Sequence, residues 1–166
     1  AHPRWIIVHD PGNDAASPGA TLAFLRNNAR QSSYHKLAWM ETGGPKISVL
    51  APPHEWVGHA GVATRIPRTL IANRQVNLWT VSLSICTYGK PVDSALFNAV
   101  VRDLAATVRE LNMPDAGVIL AHREISTVRG RRTDPRGIDM DELRRAVASE
   151  LRKVQMRKPR TGGVKT

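Results

Sequence analysis

A chain of 166 residues, 42% hydrophobic and 23% charged, has the size and balance of one globular domain. A domain of this length buries about two-thirds of its unfolded surface, so it needs no structural disulfide, and the single cysteine, Cys86, excludes an internal disulfide framework. No apolar run is long enough to cross a bilayer, Arg4 to Val8 is too short for the core of a signal peptide, and the formal net charge of +10 calls for a polyanionic partner without choosing among nucleic acid, membrane and cell wall.

Arg4-Trp5-Ile6-Ile7-Val8 is an apolar, β-branched run that predicts a buried strand, stopped by the turn signal His9-Asp10-Pro11-Gly12. Ser17-Pro18 supplies an N-cap and a proline at the first helical position, predicting a helix to about Arg30 with Leu22 and Leu25 inward. Ser33 to Trp39 and Ile47 to Leu50, on either side of a turn from Glu41 to Pro45, predict a hairpin. Pro52 to Gly61 reads as irregular, and a short helix is expected over Arg68 to Gln75. Leu78 to Cys86 alternates poorly but is rich in β formers, so it reads as a strand. The strongest helix is Pro91 to Leu111, with Val92, Leu96, Val100, Leu104, Val108 and Leu111 near the helical period and Pro114 just beyond. Val118 to Leu120 is a buried strand leading into His122, and Asp139-x-x-Glu142 resembles a capping box opening a last helix to about Val154. Strands alternating with helices give an α/β class. Residues 1–155 form the expected domain, and 156–166, basic with Pro and Gly, read as a tail or linker remnant.

His9 and His122 each end a predicted strand, which is where sites gather in open α/β sheets. Asp134 lies twelve positions after His122, in Arg131-Arg132-Thr133-Asp134-Pro135. Two imidazoles and a carboxylate, with a fourth position left to water, form a catalytic zinc donor set. Singly, each has an ordinary reading: a turn histidine, or an aspartate shaping a turn before proline. His54 and His59 are five apart, behind Pro52-Pro53 and with Gly58 between them, so they do not share a helical face as the four-residue spacing of a zincin does. Cys86 has no nucleophile motif around it, and there is no Gly-rich phosphate loop.

The ordered set Ile6-Ile7-Val8-His9, Ser33-Tyr34-His35, Gly58-His59-Ala60-Gly61, His122-Arg123-Glu124 and Arg131-Arg132-Thr133-Asp134-Pro135 resembles the type-2 N-acetylmuramoyl-L-alanine amidases. These comprise phage endolysins, bacterial cell-wall amidases and animal peptidoglycan-recognition proteins, and the resemblance spans about residues 4–150. It implies a single domain with a mixed central sheet flanked by helices and a zinc ion in a surface groove. The ligands it implies are His9, His122 and Asp134, with Tyr34 beside the attacking water and Arg132 stabilising developing charge. His59 and Thr133 would line the groove as substrate contacts.

The implied reaction is hydrolysis of the amide between N-acetylmuramic acid and L-alanine by a monomer bound to bacterial peptidoglycan. A phage lysin of this kind is made in the host cytoplasm and acts at the cell wall. The basic residues toward the C-terminus add an expected electrostatic contact with an anionic envelope, whereas no nucleic-acid-binding signature is present. Two positions depart from the common family pattern: Arg132 stands where many members carry Lys, and Ser84 where many carry a catalytic Glu. Both departures suit the alternative, a non-catalytic peptidoglycan-binding module of the same fold.

Overall fold

The computed structural model describes residues 2–11, 17–27, 34–55, 57–59, 76–126 and 133–157. The helix expected over 68–75 lies outside these residues, as do Arg132 and the tail from 158 onward.

The sheet is organised by β4 (Thr80–Ile85), every residue of which is buried. Its polar and apolar side chains alternate strictly: Thr80, Ser82 and Ser84 against Val81, Leu83 and Ile85. That corrects the expectation of poor alternation, which arose because the run from Leu78 to Cys86 begins and ends off the pattern. A period of two assigns the two sets to opposite faces of the sheet. Strand order is β3 (Gly44–Val49), β2 (Lys36–Glu41), β4, β1 (Trp5–His9), β5 (Ile119–Ala121). β1 runs parallel to both β4 and β5, β2 runs parallel to β4, and β2 and β3 form the antiparallel hairpin. The sheet is therefore mixed, with helices packed against it.

The apolar face carries Ile6, Val8, Ala38, Leu83, Ile85, Ile119 and Ala121 into the main core. Against them lies the helix α2 (Ser94–Glu110), whose Leu96, Val100, Leu104 and Val108 are buried as the helical period predicts. It starts later than Pro91 because the Asp93 carboxylate caps it, accepting from the amides of Ala95 (2.7 Å) and Leu96 (3.3 Å). It ends in a Schellman arrangement: Asn112, at φ 50°, donates to the Arg109 carbonyl and Met113 donates to that of Val108. Lys36 Nζ ties β2 to α2 through both Asp103 oxygens (2.9 and 3.0 Å) and the Thr107 hydroxyl (2.8 Å).

The last helix, α4 (Met140–Arg157), is capped by Asp139, which accepts from the Asp141 and Glu142 amides (2.9 and 3.0 Å). Its Leu143 and Val147 close the same core. α1 (Pro18–Asn27) begins at the expected proline. The hairpin turn is tighter than expected, with only Thr42 and Gly43 between the strands; Pro45 sits inside β3, where an edge strand tolerates its missing N–H. β2 starts after His35 because the backbone of His35 is committed elsewhere: its N–H donates to Ser82 Oγ (3.1 Å), and its carbonyl accepts from Leu50 and Ala51. No described helix is long and apolar enough to cross a membrane.

Candidate metal centre

β1 and β5 are paired in parallel with Val8 opposite Ala121, so the next residues, His9 and His122, leave adjacent strand ends side by side. Their ring centroids are 4.5 Å apart, and both are fully buried. His122 opens the short helix α3 (His122–Ile125). Asp134 reaches them from a loop sewn down at several points. Arg123 donates its backbone N–H to the Asp134 carbonyl (2.8 Å) and Nη1 to that of Pro135 (2.5 Å). Arg136 donates Nε and Nη2 to the Asp10 carboxylate (3.0 and 3.1 Å), Thr87 Oγ1 donates to the Arg136 carbonyl (2.8 Å), and Val92 N–H donates to that of Gly137 (3.0 Å).

The three side chains converge on one point. Nδ1 of His9 and Nδ1 of His122 lie 3.2 and 2.8 Å from the same oxygen, Asp134 Oδ2. One ligand atom from each of the three residues falls within 4.8 Å of the others. The second carboxylate oxygen, Oδ1, accepts from the Asp10 amide at 2.5 Å, which fixes the orientation of the carboxylate. Two imidazole nitrogens and one oriented carboxylate, all from buried residues, fit the three-ligand requirement of a catalytic zinc site.

The neighbouring histidines are not interchangeable. His59 is buried (3% exposed), with Nδ1 3.1 Å from His9 Nε2 and Nε2 2.8 Å from Thr80 Oγ1. Desolvation, then the charges that His9, His35 and His122 can carry, hold its pKa well below the ordinary histidine value. His59, expected to line the groove, has both ring nitrogens engaged by the protein. His35 is also buried and also held low by burial; its Nδ1 accepts from the Ser82 amide (3.1 Å), and its Nε2 donates to the Glu55 carbonyl (3.1 Å). It thereby tethers the loop that carries His59.

Tyr34 is half-buried, with its ring tilted against that of His9 at a centroid separation of 5.1 Å. Thr133 is exposed, immediately before Asp134. Ser84, paired in register with His9, is fully buried, and its hydroxyl has no partner among the described residues. Sequence reasoning passed over Thr80, Arg123, Asp10 and Arg136. The alternating hydroxyls of β4 were the one available signal for Thr80.

The sequence profile of the N-acetylmuramoyl-L-alanine amidases matches residues 1–137, a span that holds the whole sheet and all three converging side chains. The chain belongs to this amidase family. No curated protein sequence matches it. Among solved structures, this family member is similar to the amidase AmiD from E. coli in complex with anhydro-N-acetylmuramic acid-L-Ala-D-gamma-Glu-L-Lys, at TM-score 0.67 and 20% identity over 88% of this chain. It is similar to AmpDH3 from Pseudomonas aeruginosa in complex with anhydromuramic pentapeptide, at TM-score 0.68 and 19% identity, again over 88% of this chain. A mutant endolysin from Bacillus subtilis gives TM-score 0.66 and 18% identity over 88% of this chain and 86% of the endolysin. The amidase chain described here spans 58% of the length of AmiD and 60% of AmpDH3. At these identities the likeness establishes the shared fold.

Proposed function

We propose that this amidase-family chain is a zinc-dependent hydrolase of the amide between the lactyl group of N-acetylmuramic acid and L-alanine in bacterial peptidoglycan, acting as a phage endolysin. The observation that carries the reading is the convergence of His9, His122 and Asp134 at the carboxyl ends of two adjacent parallel strands. The muramoyl peptides bound by AmiD and AmpDH3 support the substrate class, and the coverage of the Bacillus subtilis endolysin supports the lytic role.

His9, His122 and Asp134 would hold the zinc. When bound, zinc polarises a carbonyl and lowers the pKa of water to about 7. Tyr34, whose ring lies against that of His9, would orient the attacking water through its phenol and pass a proton to the departing amine. A C–O bond forms from water to the lactyl carbonyl carbon, the C–N bond breaks, and the freed L-alanine nitrogen takes up the proton. Arg132 stays protonated in this reaction, so its part is to stabilise negative charge on the carbonyl oxygen rather than to give a proton. The Asp10–Arg136 pair holds the Asp134 loop against β1 throughout.

Ser84 favours the second reading, a peptidoglycan-binding module, because a buried hydroxyl with no partner among the described residues to activate it cannot serve as a general base. Mass spectrometry of fragments released from purified peptidoglycan separates the two. Cleavage yields peptides with a free L-alanine amino terminus, and a chelator abolishes them. Binding to peptidoglycan with no release, in zinc-loaded protein, would establish the module instead.

A further inference from the structure

We propose that Thr80 and His59 are positioning residues of the metal centre: a directed chain of hydrogen bonds from His9 through His59 and Thr80 to the Val76 carbonyl fixes the His9 tautomer that presents Nδ1 to the metal. The proposal rests on the reading of His9, His122 and Asp134 as ligands.

The direction of the chain follows from counting hydrogens. The Val76 carbonyl can only accept, so the Thr80 hydroxyl, 2.9 Å away, spends its single hydrogen there. Thr80 Oγ1 must then accept from His59 Nε2 at 2.8 Å, which places a hydrogen on that nitrogen. In the neutral ring this leaves a lone pair on His59 Nδ1, facing His9 Nε2 at 3.1 Å. His9 Nε2 therefore donates, and the other nitrogen of His9, Nδ1, is left unprotonated and directed at Asp134 Oδ2, 3.2 Å away. Two acceptors facing each other at that distance are satisfied by a cation between them. Reversing any one bond breaks the chain, because the opposite His9 tautomer would put a hydrogen on Nδ1, where a ligand lone pair is required.

The backbone explains why the chain can be held. Thr80 is the first residue of β4, paired in register with Trp5 of β1, and Val76 lies in the 3₁₀ turn just before it. Trp79 N–H also donates to the Val76 carbonyl (3.0 Å), which fixes the acceptor in place. His59 and Thr80 are both buried, so water does not compete for either ring nitrogen. Thr80 acts on the metal centre two hydrogen bonds away, through His59 and His9.

The test removes only the hydroxyl. Thr80→Val keeps the shape and leaves His59 Nε2–H without an acceptor, whereas Thr80→Ser keeps the hydroxyl. Zinc affinity, measured by competition with a chelating indicator, is expected to fall about ten- to a hundredfold in Thr80→Val and to return in Thr80→Ser. A loss of packing alone would not discriminate between the two variants in this way. Long-range ¹H–¹⁵N spectra of zinc-loaded wild-type protein should show the hydrogens of both His9 and His59 on Nε2. This spectrum decides the matter if Thr80→Val fails to fold. A hydrogen on Nδ1 of either residue, or unchanged zinc affinity in a folded Thr80→Val, overturns the relay while leaving the ligand reading intact. Wild-type protein that takes up no zinc overturns both.

Discussion

Gly137 offers the sharpest test of how the Asp134 loop is held. Its φ of 73° is in the left-handed region, and a Cβ added there would stand 1.8 Å from the Lys90 carbonyl oxygen and 2.8 Å from its carbon. Gly89, in the facing loop, also has a positive φ of 77°, but a Cβ there would meet Arg136 Nη1 at 3.3 Å, a contact that a slight side-chain adjustment relieves with the Asp10 pairing kept. Alanine at either site carries the left-handed penalty, about 1–2 kcal/mol. Gly137→Ala must in addition move backbone by more than an ångström on the order of a normal contact distance. That displacement breaks the Val92 N–H to Gly137 carbonyl bond and disturbs the Thr87 bond to Arg136, each worth about 1 kcal/mol. The expected difference between the variants is therefore about 2 kcal/mol, or roughly 4–8 °C in Tm for a domain of this size. Thermal unfolding of the two variants in chelator reads this difference without any contribution from metal. Zinc affinity should fall in Gly137→Ala alone, since Asp134 moves with the loop. If both variants melt at the same temperature, the close approach to Lys90 is not rigid and the argument for a fixed loop fails.

His122→Ala should lose most of its zinc by elemental analysis, and full retention would refute the ligand assignment. Tyr34→Phe should keep zinc yet slow hydrolysis of muropeptides about a hundredfold, the scale of one acid–base group, and unchanged turnover would place the proton transfer elsewhere. Arg132→Ala should lower the rate by about 10²-fold or more, as for one oxyanion donor, which steady-state kinetics on the same substrate would measure. Truncation after Gln155 should leave activity on soluble muropeptides intact and weaken cosedimentation with whole cell walls at low salt. Exposed charges are screened beyond about 8 Å at physiological salt, so equal cosedimentation of both chains across a salt series would show the tail to be passive.

The three ligand candidates were legible because each is a donor residue at a strand end or in a turn, and a chain-order pattern linked them. What could not be read locally is the register. Val8 opposite Ala121 is a pairing between segments more than a hundred residues apart, and it alone makes His9 and His122 neighbours. β4 shows the same limit from the other side. Alternating Thr80, Ser82 and Ser84 resemble a strand with one solvated face, yet all three are buried. The partners of Ser82 and Thr80 arrive from segments around His35 and His59, which no period within the strand can announce. The motif places His59 in the loop near the site but does not say which way its ring turns. The basic character of α4 is likewise partly spent inside the fold. Arg144 donates to the Ile119 carbonyl and pairs with Glu124 and Asp141, so it is a tie between α4 and the β5 edge rather than a free surface charge.

The contact between His9 and Asp134 joins residues 125 positions apart. In a chain with one cysteine, an ion shared by these side chains acts as a cross-link, closing a loop that takes in nearly the whole domain. Closing a loop of about a hundred residues removes several kcal/mol of entropy from an unfolded chain in the loop-closure description of a disulfide. A reversible ion delivers its stabilisation by mass action instead, about 2.7 kcal/mol when free zinc is a hundredfold above its dissociation constant. Under the proposed zinc reading, the durability of the folded chain would be coupled to the zinc concentration around it, and the three side chains proposed to set up the chemistry would also set how long the protein lasts where zinc is scarce.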